Sequence, residues 1–251
     1  MYDREMEETR DFWDRVAADW QIQVGADGDR NRFLNSDPVL WTFAGDVAGR
    51  KVLDAGCGTG YLSRQLGARG ALVTGVDLSE KMIAIAQAHS PEILFRVDSC
   101  SDLRTIEDAE FDLLVSNYVL MDLPDLEGAA HAFHRVLKPG GVAVVVFSHP
   151  CFPQGGAATL KKGAGIAYRW TSSYFERATR VDPPWKHFTS EFIWFHRPLS
   201  DYWKAFLAAG FTVTGFEEPR ITEDRVHLAA SALELEQCRT RPYSVAFQLR
   251  R

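Results

Sequence analysis

From residue 51 onward, short apolar runs alternate with stretches whose apolar residues recur at helical spacing. The apolar runs predict strands over residues 51–54, 71–76, 93–97, 111–116 and 142–147. The stretches between them predict helices over residues 60–69, 79–89 and 124–137. Alternation of strand and helix is typical of right-handed βαβ units, so the middle of the chain is predicted to form a parallel sheet.

Both flanks of this alternating region are rich in aromatic residues. Upstream, residues 3–20 place Phe12, Trp13 and Trp20 at helical spacing among charged residues, which predicts an amphipathic helix with an aromatic stripe. Downstream, residues 150–199 are rich in Gly, Pro and large aromatic rings without a clean period, which predicts an insertion. The remaining sequence predicts helices over 201–209 and 229–238 and strands over 211–216 and 243–249.

The junction between the first strand and the first helix is the stretch K-V-L-D-A-G-C-G-T-G, in which glycines let the backbone approach a ligand closely. A dinucleotide-binding turn needs G-x-G-x-x-G, but counting from Gly56 the third glycine comes one position early and Tyr61 takes its place. Asp54 would repel a pyrophosphate, whereas it suits a ligand with an ammonium group and a sulfonium. S-adenosylmethionine is such a ligand.

Ligands of open α/β sheets bind beyond the carboxyl ends of the strands, so residues that follow each strand are candidate ligand contacts. Asp77 lies about where such folds place an acid on ribose hydroxyls. The predicted cofactor-binding residues are Asp54, Gly56, Gly58, Asp77, Leu78, Met82, Asp98, Ser99 and Asn117.

Four motifs occur in order across residues 50–147: V-L-D-A-G-C-G-T-G-Y-L-S, G-V-D-L-S-E-K-M, F-D-L-L-V-S-N-Y-V-L and L-K-P-G-G. With them the sequence resembles the class I S-adenosylmethionine-dependent methyltransferases, and is most similar to the small-molecule, ubiquinone-biosynthesis-like branch. The resemblance implies an α/β fold with a Rossmann-like, seven-stranded, mostly parallel sheet, helices on both faces and an antiparallel edge. It also implies that Asp98 faces the adenine amino group.

The resemblance implies one methyltransferase domain over residues 1–251. Its predicted parts are an N-terminal helical lid (1–45), a cofactor-binding core (50–147), an aromatic-rich acceptor-site insertion after strand five (150–199) and a C-terminal completion of the sheet (200–251). The predicted cofactor is S-adenosyl-L-methionine, with S-adenosyl-L-homocysteine as its product.

Two residues at the strand ends are predicted to be catalytic. Tyr118 follows strand four and would border the transferred methyl, because a ring face favours a cation such as the sulfonium. His149 follows strand five and is the predicted general base. The predicted acceptor-binding residues, several of which belong to the N-terminal lid, are Phe12, Trp13, Trp20, Arg32, Tyr118 and His149.

Composition narrows the choice of partner and compartment. The net charge of −6 and the pI near 5.7 argue against nucleic acid as the main substrate. The four cysteines are scattered, which fits reduced thiols in a cytoplasm. No apolar run approaches the ~20 residues that span a bilayer, and His131 and His134 lack partners at metal-ligand spacing. We therefore expect a cytoplasmic protein without metal or membrane partner, and a homo-oligomer stays open.

Three functional hypotheses follow. The first is N-methylation of a small secondary metabolite such as an antibiotic precursor, because W-D-R-V-A-A-D-W, S-N-Y-V-L-M-D-L-P-D and S-H-P-C-F resemble actinobacterial tailoring enzymes, including lincosamide-antibiotic N-methyltransferases. The alternative is O- or C-methylation of a phenol or quinone precursor. A non-catalytic cofactor-binding or interaction protein is the hypothesis from a different class.

Overall fold

The computed structural model describes residues 2–152, 157–159, 166–168 and 173–251. The strands are β1 Lys51–Ala55, β2 Leu72–Asp77, β3 Leu94–Val97, β4 Phe111–Asn117, β5 Leu137–Ser148, β6 Ala157–Thr159, β7 Ile166–Tyr168, β8 Ala178–Asp182, β9 Phe192–His196, β10 Thr212–Glu217 and β11 Ser244–Arg250. The α-helices are α1 Tyr2–Val24, α2 Asp37–Ala44, α3 Tyr61–Ala68, α4 Glu80–His89, α5 Leu126–Val136, α6 Leu199–Ala208 and α7 Ala232–Thr240. None of the described helices is both long and apolar enough to cross a bilayer.

Seven strands form the central sheet, in the order β10-β11-β5-β4-β1-β2-β3. Strands β1 to β5 run parallel to one another, whereas β11 is antiparallel to both β5 and β10. The predicted α/β fold, with its mostly parallel seven-stranded sheet, is therefore confirmed. Because β1 to β5 are parallel, their carboxyl ends meet at one edge, where the residues after each strand come together.

The two faces of the sheet carry separate apolar clusters. Alternate residues of β1 show why, because Leu53 packs into a cluster with Phe133 of α5 and Phe206 of α6. Val52, one position earlier, packs into a second cluster with Leu66 of α3. Both strand residues are fully buried, as expected for a parallel strand covered by helices on both faces.

The N-terminal helix α1 packs at the carboxyl edge of the sheet. Its predicted aromatic stripe is present, since Phe12 and Val16 form a buried cluster with Phe188, near the start of β9. The Asp14 carboxylate accepts hydrogen bonds from Ser79 Oγ and the Lys81 backbone N–H at the start of α4. These bonds fix α1 over the helix that follows β2.

The predicted insertion contains regular structure that the sequence pattern does not indicate. Strands β6 and β7 form one antiparallel pair, and β8 and β9 form another. Strand β9 is apolar at nearly every position, so it lacks the alternation by which an isolated hairpin is recognised. Residues 153–156, 160–165 and 169–172 of the predicted insertion lie outside the described part of the chain.

Candidate active site

The glycine turn after β1 is bonded to the end of β2. The backbone N–H groups of Gly56 and Cys57 both donate to the Val76 carbonyl, at 2.8 and 2.9 Å. The Gly58 N–H donates to Asp77 Oδ2 at 2.8 Å. Gly56 and Gly58 have φ of +79° and +53°, a conformation that favours glycine. The glycines therefore allow a turn that hydrogen bonds hold against the ends of the strands.

A narrow cavity, which we call the inner cavity, lies between this turn, the end of β4 and helix α1. It is lined by Thr9, Trp13, Trp20, Arg32, Gly56, Cys57, Gly58, Asp77, Leu78, Met82, Cys100, Asn117, Tyr118, Val119, Asp122 and Leu123. A side recess continues beneath it and is lined by Trp20, Val24, Arg32, Asp54, Gly56, Cys57, Thr59, Tyr61, Leu62 and Asn117. The structure thus brings together seven of the nine predicted cofactor-binding residues.

Two carboxyl groups beside these spaces have raised pKa values. Burial raises the pKa of Asp54 to about 7, against a hydrogen bond at 2.6 Å from Ser63 Oγ that acts in the opposite direction. Burial also raises the pKa of Asp77 to about 6, although each of its oxygens accepts a backbone N–H, from Gly58 and Ser79. A cation or hydroxyl donors of a ligand would compensate this desolvation.

The remaining two predicted cofactor residues, Asp98 and Ser99, are not brought to the cavity. The Asp98 carboxylate accepts hydrogen bonds from the backbone N–H groups of Ser99, Arg104 and Thr105, and from the Thr105 hydroxyl. It therefore holds the loop after β3 in place. Cys100, two residues further on, lines the inner cavity instead.

A second cavity of about 380 Å³, the outer cavity, lies beside the inner one. Its aromatic wall comes from α1, β9 and the residues before β9 and includes Trp20, Trp185, Phe192, Trp194 and Phe195. The volume is within the range of small-molecule binding sites. Four residues line both cavities, and they mark where the two spaces adjoin: Trp20, Arg32, Tyr118 and Asp122.

Tyr118 lies at this junction in a strained backbone conformation, with φ of +59°. Its hydroxyl is 2.7 Å from Ser244 Oγ at the start of β11, and its backbone N–H donates to the Val146 carbonyl. Burial raises the pKa of Tyr118 to about 12, so the phenol stays neutral at physiological pH. The ring is thus a fixed wall rather than a proton acceptor.

His149 lines the outer cavity, but both of its ring nitrogens are engaged. Nδ1 accepts the Cys151 backbone N–H at 3.2 Å, and Nε2 lies 2.7 Å from Glu218 Oε1. This pattern fixes the tautomer with the proton on Nε2, which donates to Glu218. Burial lowers the pKa of His149, and Glu218 acts against that effect. The predicted general base therefore has no free lone pair in this arrangement.

The predicted acceptor residues of the N-terminal segment lie at different depths. Phe12 is buried in the packing of α1 and is not among the lining residues of the described cavities, whereas Trp13 lines the inner cavity. Trp20 and Arg32 line all three spaces. Arg32 is buried, 3.2 Å from Asp29, with its guanidinium over the Trp20 ring. The predicted lid is thus also a wall of the inner cavity.

Sequence reasoning does not select Asp122, which lies in a short 3-10 helix, Leu120–Asp122, after β4. Among the described residues no side chain or backbone N–H donates a hydrogen bond to its carboxyl group. Arg197 is its nearby charge, yet the Arg197 guanidinium donates to the carbonyls of Leu120, Leu123 and Pro124. Burial raises the pKa of Asp122 well above its ordinary value.

Comparison with known proteins agrees with this geometry. Residues 53–145 match a family model described as a methyltransferase domain. A ubiquinone biosynthesis O-methyltransferase from Pseudomonas syringae pv. tomato is 40% identical over 100 residues, which cover 38% of this chain and 43% of that relative. The chain therefore matches less than half the length of that relative.

Solved structures extend the likeness over most of the chain. An S-adenosylmethionine-dependent methyltransferase from Mesorhizobium loti is 25% identical, with a TM-score of 0.73 over 90% of this chain and 100% of that one. A geranyl diphosphate C-methyltransferase from Streptomyces coelicolor A3(2), solved with Mg²⁺, geranyl diphosphate and S-adenosyl-L-homocysteine, shares the fold at 18% identity and a TM-score of 0.58, over 85% of this chain and 78% of that one.

The fold and the strand-end site define an α/β protein with a ligand-sized space beside the glycine turn. By motif order, matched domain and structural neighbours, the cofactor-binding core over residues 53–145 is that of the class I S-adenosylmethionine-dependent methyltransferases. The side recess fits that cofactor, because Asn117 Oδ1 and Thr59 Oγ1 are buried there without a hydrogen-bond partner among the described residues. An amino-acid ammonium group would supply the missing donors.

Within the described residues we find no cluster of three or more His, Cys, Asp or Glu side chains that could hold a metal ion.

Proposed function

We propose that the protein transfers the methyl group of S-adenosyl-L-methionine to a hydroxyl oxygen of a small, partly aromatic molecule. The observation that carries this proposal is the junction of the two cavities at Trp20, Arg32, Tyr118 and Asp122. A cofactor in the inner cavity and the side recess would present its methyl toward the outer cavity at this point. In-line transfer needs such an arrangement, with donor and acceptor on opposite sides of the moving carbon.

The residues of this chain divide the work of holding the cofactor. The Asp77 carboxylate, whose oxygens accept the backbone N–H groups of Gly58 and Ser79, would also accept the ribose hydroxyls. Asp54, Asn117 and the turn glycines would hold the amino-acid end in the side recess. When bound, the cofactor supplies an electrophilic methyl group on a positively charged sulfur.

Catalysis in this proposal comes mainly from positioning and from exclusion of water. Proximity and orientation can contribute on the order of 7–11 kcal/mol to such a transfer. The aromatic wall of the outer cavity and the Tyr118 ring would fix a flat acceptor against the methyl. The phenol of Tyr118, bonded to Ser244, would define the edge of that space.

An oxygen acceptor is supported by the named activity of the relatives and by an unpaired carboxyl group at the junction. The P. syringae relative is named an O-methyltransferase, and its similarity covers the cofactor half of the site. The N-methylation of an antibiotic precursor is the second candidate, because the Asp122 carboxylate would also attract a cationic amine. The hydroxyl and amine acceptors differ in one requirement, because a base must remove the proton of a neutral hydroxyl but is not needed for a neutral amine.

Product mass after incubation with methyl-labelled cofactor tests the proposal directly. Matched catechol, aniline and aliphatic amine acceptors should be compared, with the Tyr118→Ala variant beside the wild type. We expect labelled catechol ethers and at least a tenfold lower turnover in Tyr118→Ala, about 1.4 kcal/mol. Labelling of amines alone would favour the second candidate, and binding of the cofactor without transfer to any acceptor would contradict an enzyme of either kind.

A further inference from the structure

The one carboxyl group that lines both cavities is that of Asp122, and its surroundings leave it without a hydrogen-bonded partner among the described residues. The side chain is partly accessible to the cavities that it lines, and enclosing a carboxyl group there without such a partner is costly, so a group of this kind needs a functional explanation. Asp122 lies four residues after Tyr118, in the 3-10 helix that follows β4, and like Tyr118 it lines the point where the methyl must pass from one space to the other.

Arg197 fixes the position of the Asp122 carboxyl group without donating a hydrogen bond to it. The guanidinium is buried, and its Nη atoms donate to the carbonyls of Leu120, Leu123 and Pro124 on both sides of Asp122. The 3-10 turn is therefore held from the segment after β9, while the carboxylate keeps its lone pairs. Arg197 is in this sense a positioning residue for Asp122.

The other titratable groups around the junction are already committed. Arg32 is paired with Asp29, and Tyr118 is bonded to Ser244. His149 is engaged at both ring nitrogens. Tyr202 on α6 lines the outer cavity, and burial raises the pKa of its phenol to about 12. Among the described groups at the junction, Asp122 is thus the one whose carboxylate oxygens are left to accept a proton.

We propose that Asp122 accepts the proton of the acceptor hydroxyl, and that the positive charge of the cofactor controls when it does so. The inference rests on the proposed function. The acceptor oxygen forms a bond to the methyl carbon, the bond from that carbon to sulfur breaks with its electron pair on sulfur, and the hydroxyl proton passes to the carboxylate. Atoms and charge balance, because sulfonium and carboxylate become a neutral thioether and a neutral acid.

The coupling follows from electrostatics. In the ligand-free protein, burial raises the pKa of Asp122 and so favours the protonated carboxyl group. A sulfonium close to the junction favours the ionised carboxylate, since an opposite charge lowers the pKa of an acid. Once the methyl has moved, that charge is gone and the carboxyl group retains its proton. Binding of S-adenosylmethionine should therefore release a proton from Asp122, whereas binding of S-adenosylhomocysteine should release none from this group.

Calorimetric titration measures this proton directly. Wild-type protein is titrated at neutral pH with S-adenosylmethionine and with S-adenosylhomocysteine, each in phosphate and in Tris, whose ionisation enthalpies differ. Both ligands carry the same ammonium group and ribose, so effects at Asp54 and Asp77 are common to the two titrations. We expect greater proton release with S-adenosylmethionine, and an affinity ratio that moves in its favour as the pH rises.

Two variants then locate the proton. Asp122→Asn keeps the shape and should abolish the difference between the ligands, whereas Asp182→Asn, a carboxyl group that lines only the outer cavity, should preserve it. Equal proton release from both ligands in the wild type, a comparison that needs no variant, would overturn the inference while leaving the proposed function intact. A difference that persists in Asp122→Asn would overturn it as well. Failure of the wild type to bind either ligand would instead refute the proposed function.

Discussion

The Gly58 backbone N–H donates to the Asp77 carboxylate at 2.8 Å, so the turn after β1 and the end of β2 are one hydrogen-bonded unit. Since Ser79 N–H donates to the other carboxylate oxygen, Asp77 holds the protein together in addition to its proposed role in binding the ribose. A residue of this kind affects both affinity and stability when it is changed.

Asp77→Ala should therefore weaken S-adenosylhomocysteine binding and lower the melting temperature. Each lost charge-assisted hydrogen bond is worth roughly 1.5–3 kcal/mol, which predicts at least a tenfold loss of affinity. Asp112→Ala is the matched control, because Asp112 bonds Lys51 N–H and Lys138 at the opposite end of the sheet. Calorimetry and thermal unfolding of both variants check the prediction, and unchanged affinity in Asp77→Ala would place the ribose elsewhere.

Gly56→Ala should be more harmful than its size suggests. A Cβ at Gly56 would come within 2.3 Å of Val119 Cγ2, while Gly45 has a similar φ of +65° and open space around it. Gly45→Ala thus carries the backbone strain alone, about 1–3 kcal/mol. We expect Gly56→Ala to lose more stability and cofactor affinity than Gly45→Ala. Equal behaviour in urea unfolding would show that Val119 moves aside freely.

Gly58→Val tests the ligand side of the same turn. At Gly58 a Cβ would lie 3.6 Å from Trp20 Nε1, so an added side chain meets the inner cavity rather than the core. We expect at least a tenfold loss of S-adenosylhomocysteine affinity with a smaller change in melting temperature than in Gly56→Ala. An active Gly58→Val enzyme would refute the placement of the cofactor against this turn.

The two tryptophans of α1 should have separable effects. Trp13 lines the inner cavity alone, whereas Trp20 lines both cavities and the side recess. Trp13→Ala should weaken cofactor binding about tenfold, and Trp20→Ala should also raise the KM for the acceptor. Trp203→Ala, at a tryptophan of α6 that is 41% exposed, is the control. Normal cofactor binding by both α1 variants would show that the helix covers the acceptor only.

His149→Gln should change stability without changing the pH dependence of turnover. The variant loses the hydrogen bonds to Cys151 N–H and Glu218, roughly 1–3 kcal/mol, or several degrees of melting temperature. Because neither ring nitrogen is free, the rate should keep its pH profile. Loss of the alkaline-side activity in this variant would restore His149 as the general base.

The ligand-free protein should lose stability as the pH rises from about 4 to 7. The pKa of Asp54 is raised to about 7 and that of Asp77 to about 6, so both favour the protonated folded state. Their contribution is complete below the unfolded pKa and disappears as the pH passes the folded pKa. For each of these carboxyl groups, each pH unit between its unfolded and its folded pKa corresponds to about 1.4 kcal/mol of unfolding free energy. Urea unfolding of Asp54→Asn should show a shallower pH dependence. Asp112→Asn should change the pH dependence of stability in the opposite direction, because the hydrogen bond from Lys138 lowers the pKa of Asp112.

Sequence was sufficient for the sheet and for the glycine turn. Buried strands are continuous apolar runs, and their carboxyl ends meet at one edge in any parallel sheet, which is why Asp54 and Asp77 both line the spaces beside the glycine turn. The K-P-G-G segment has the composition of a helix stop, and α5 ends just before it, at Val136. The same segment also forms the start of β5, where Gly140 has φ of +79°.

The features of the site that the sequence could not predict depend on hydrogen bonds that local sequence patterns do not reveal. His149 is a plausible base until Glu218, beyond β10, is seen to hold its Nε2. Asp98 has the expected position after β3, yet four donors of its own loop occupy it. The turn that carries Asp122 is held by Arg197, which lies 75 positions further along the chain. No local pattern encodes such pairings.

The hydrogen bond between Tyr118 and Ser244 connects the junction of the cavities to β11, a strand that is synthesised long after Tyr118. A nascent chain that has emerged through β5 already contains the turn, Asp54 and Asp77, but Ser244 follows Tyr118 by 126 positions. Contacts of such high sequence separation form late in folding. The cofactor can thus bind before the acceptor side of the site is complete. We expect a folding φ-value, which measures how far native contacts have formed in the folding transition state, near zero at Ser244. The bound ligand would then support the docking of the final strand.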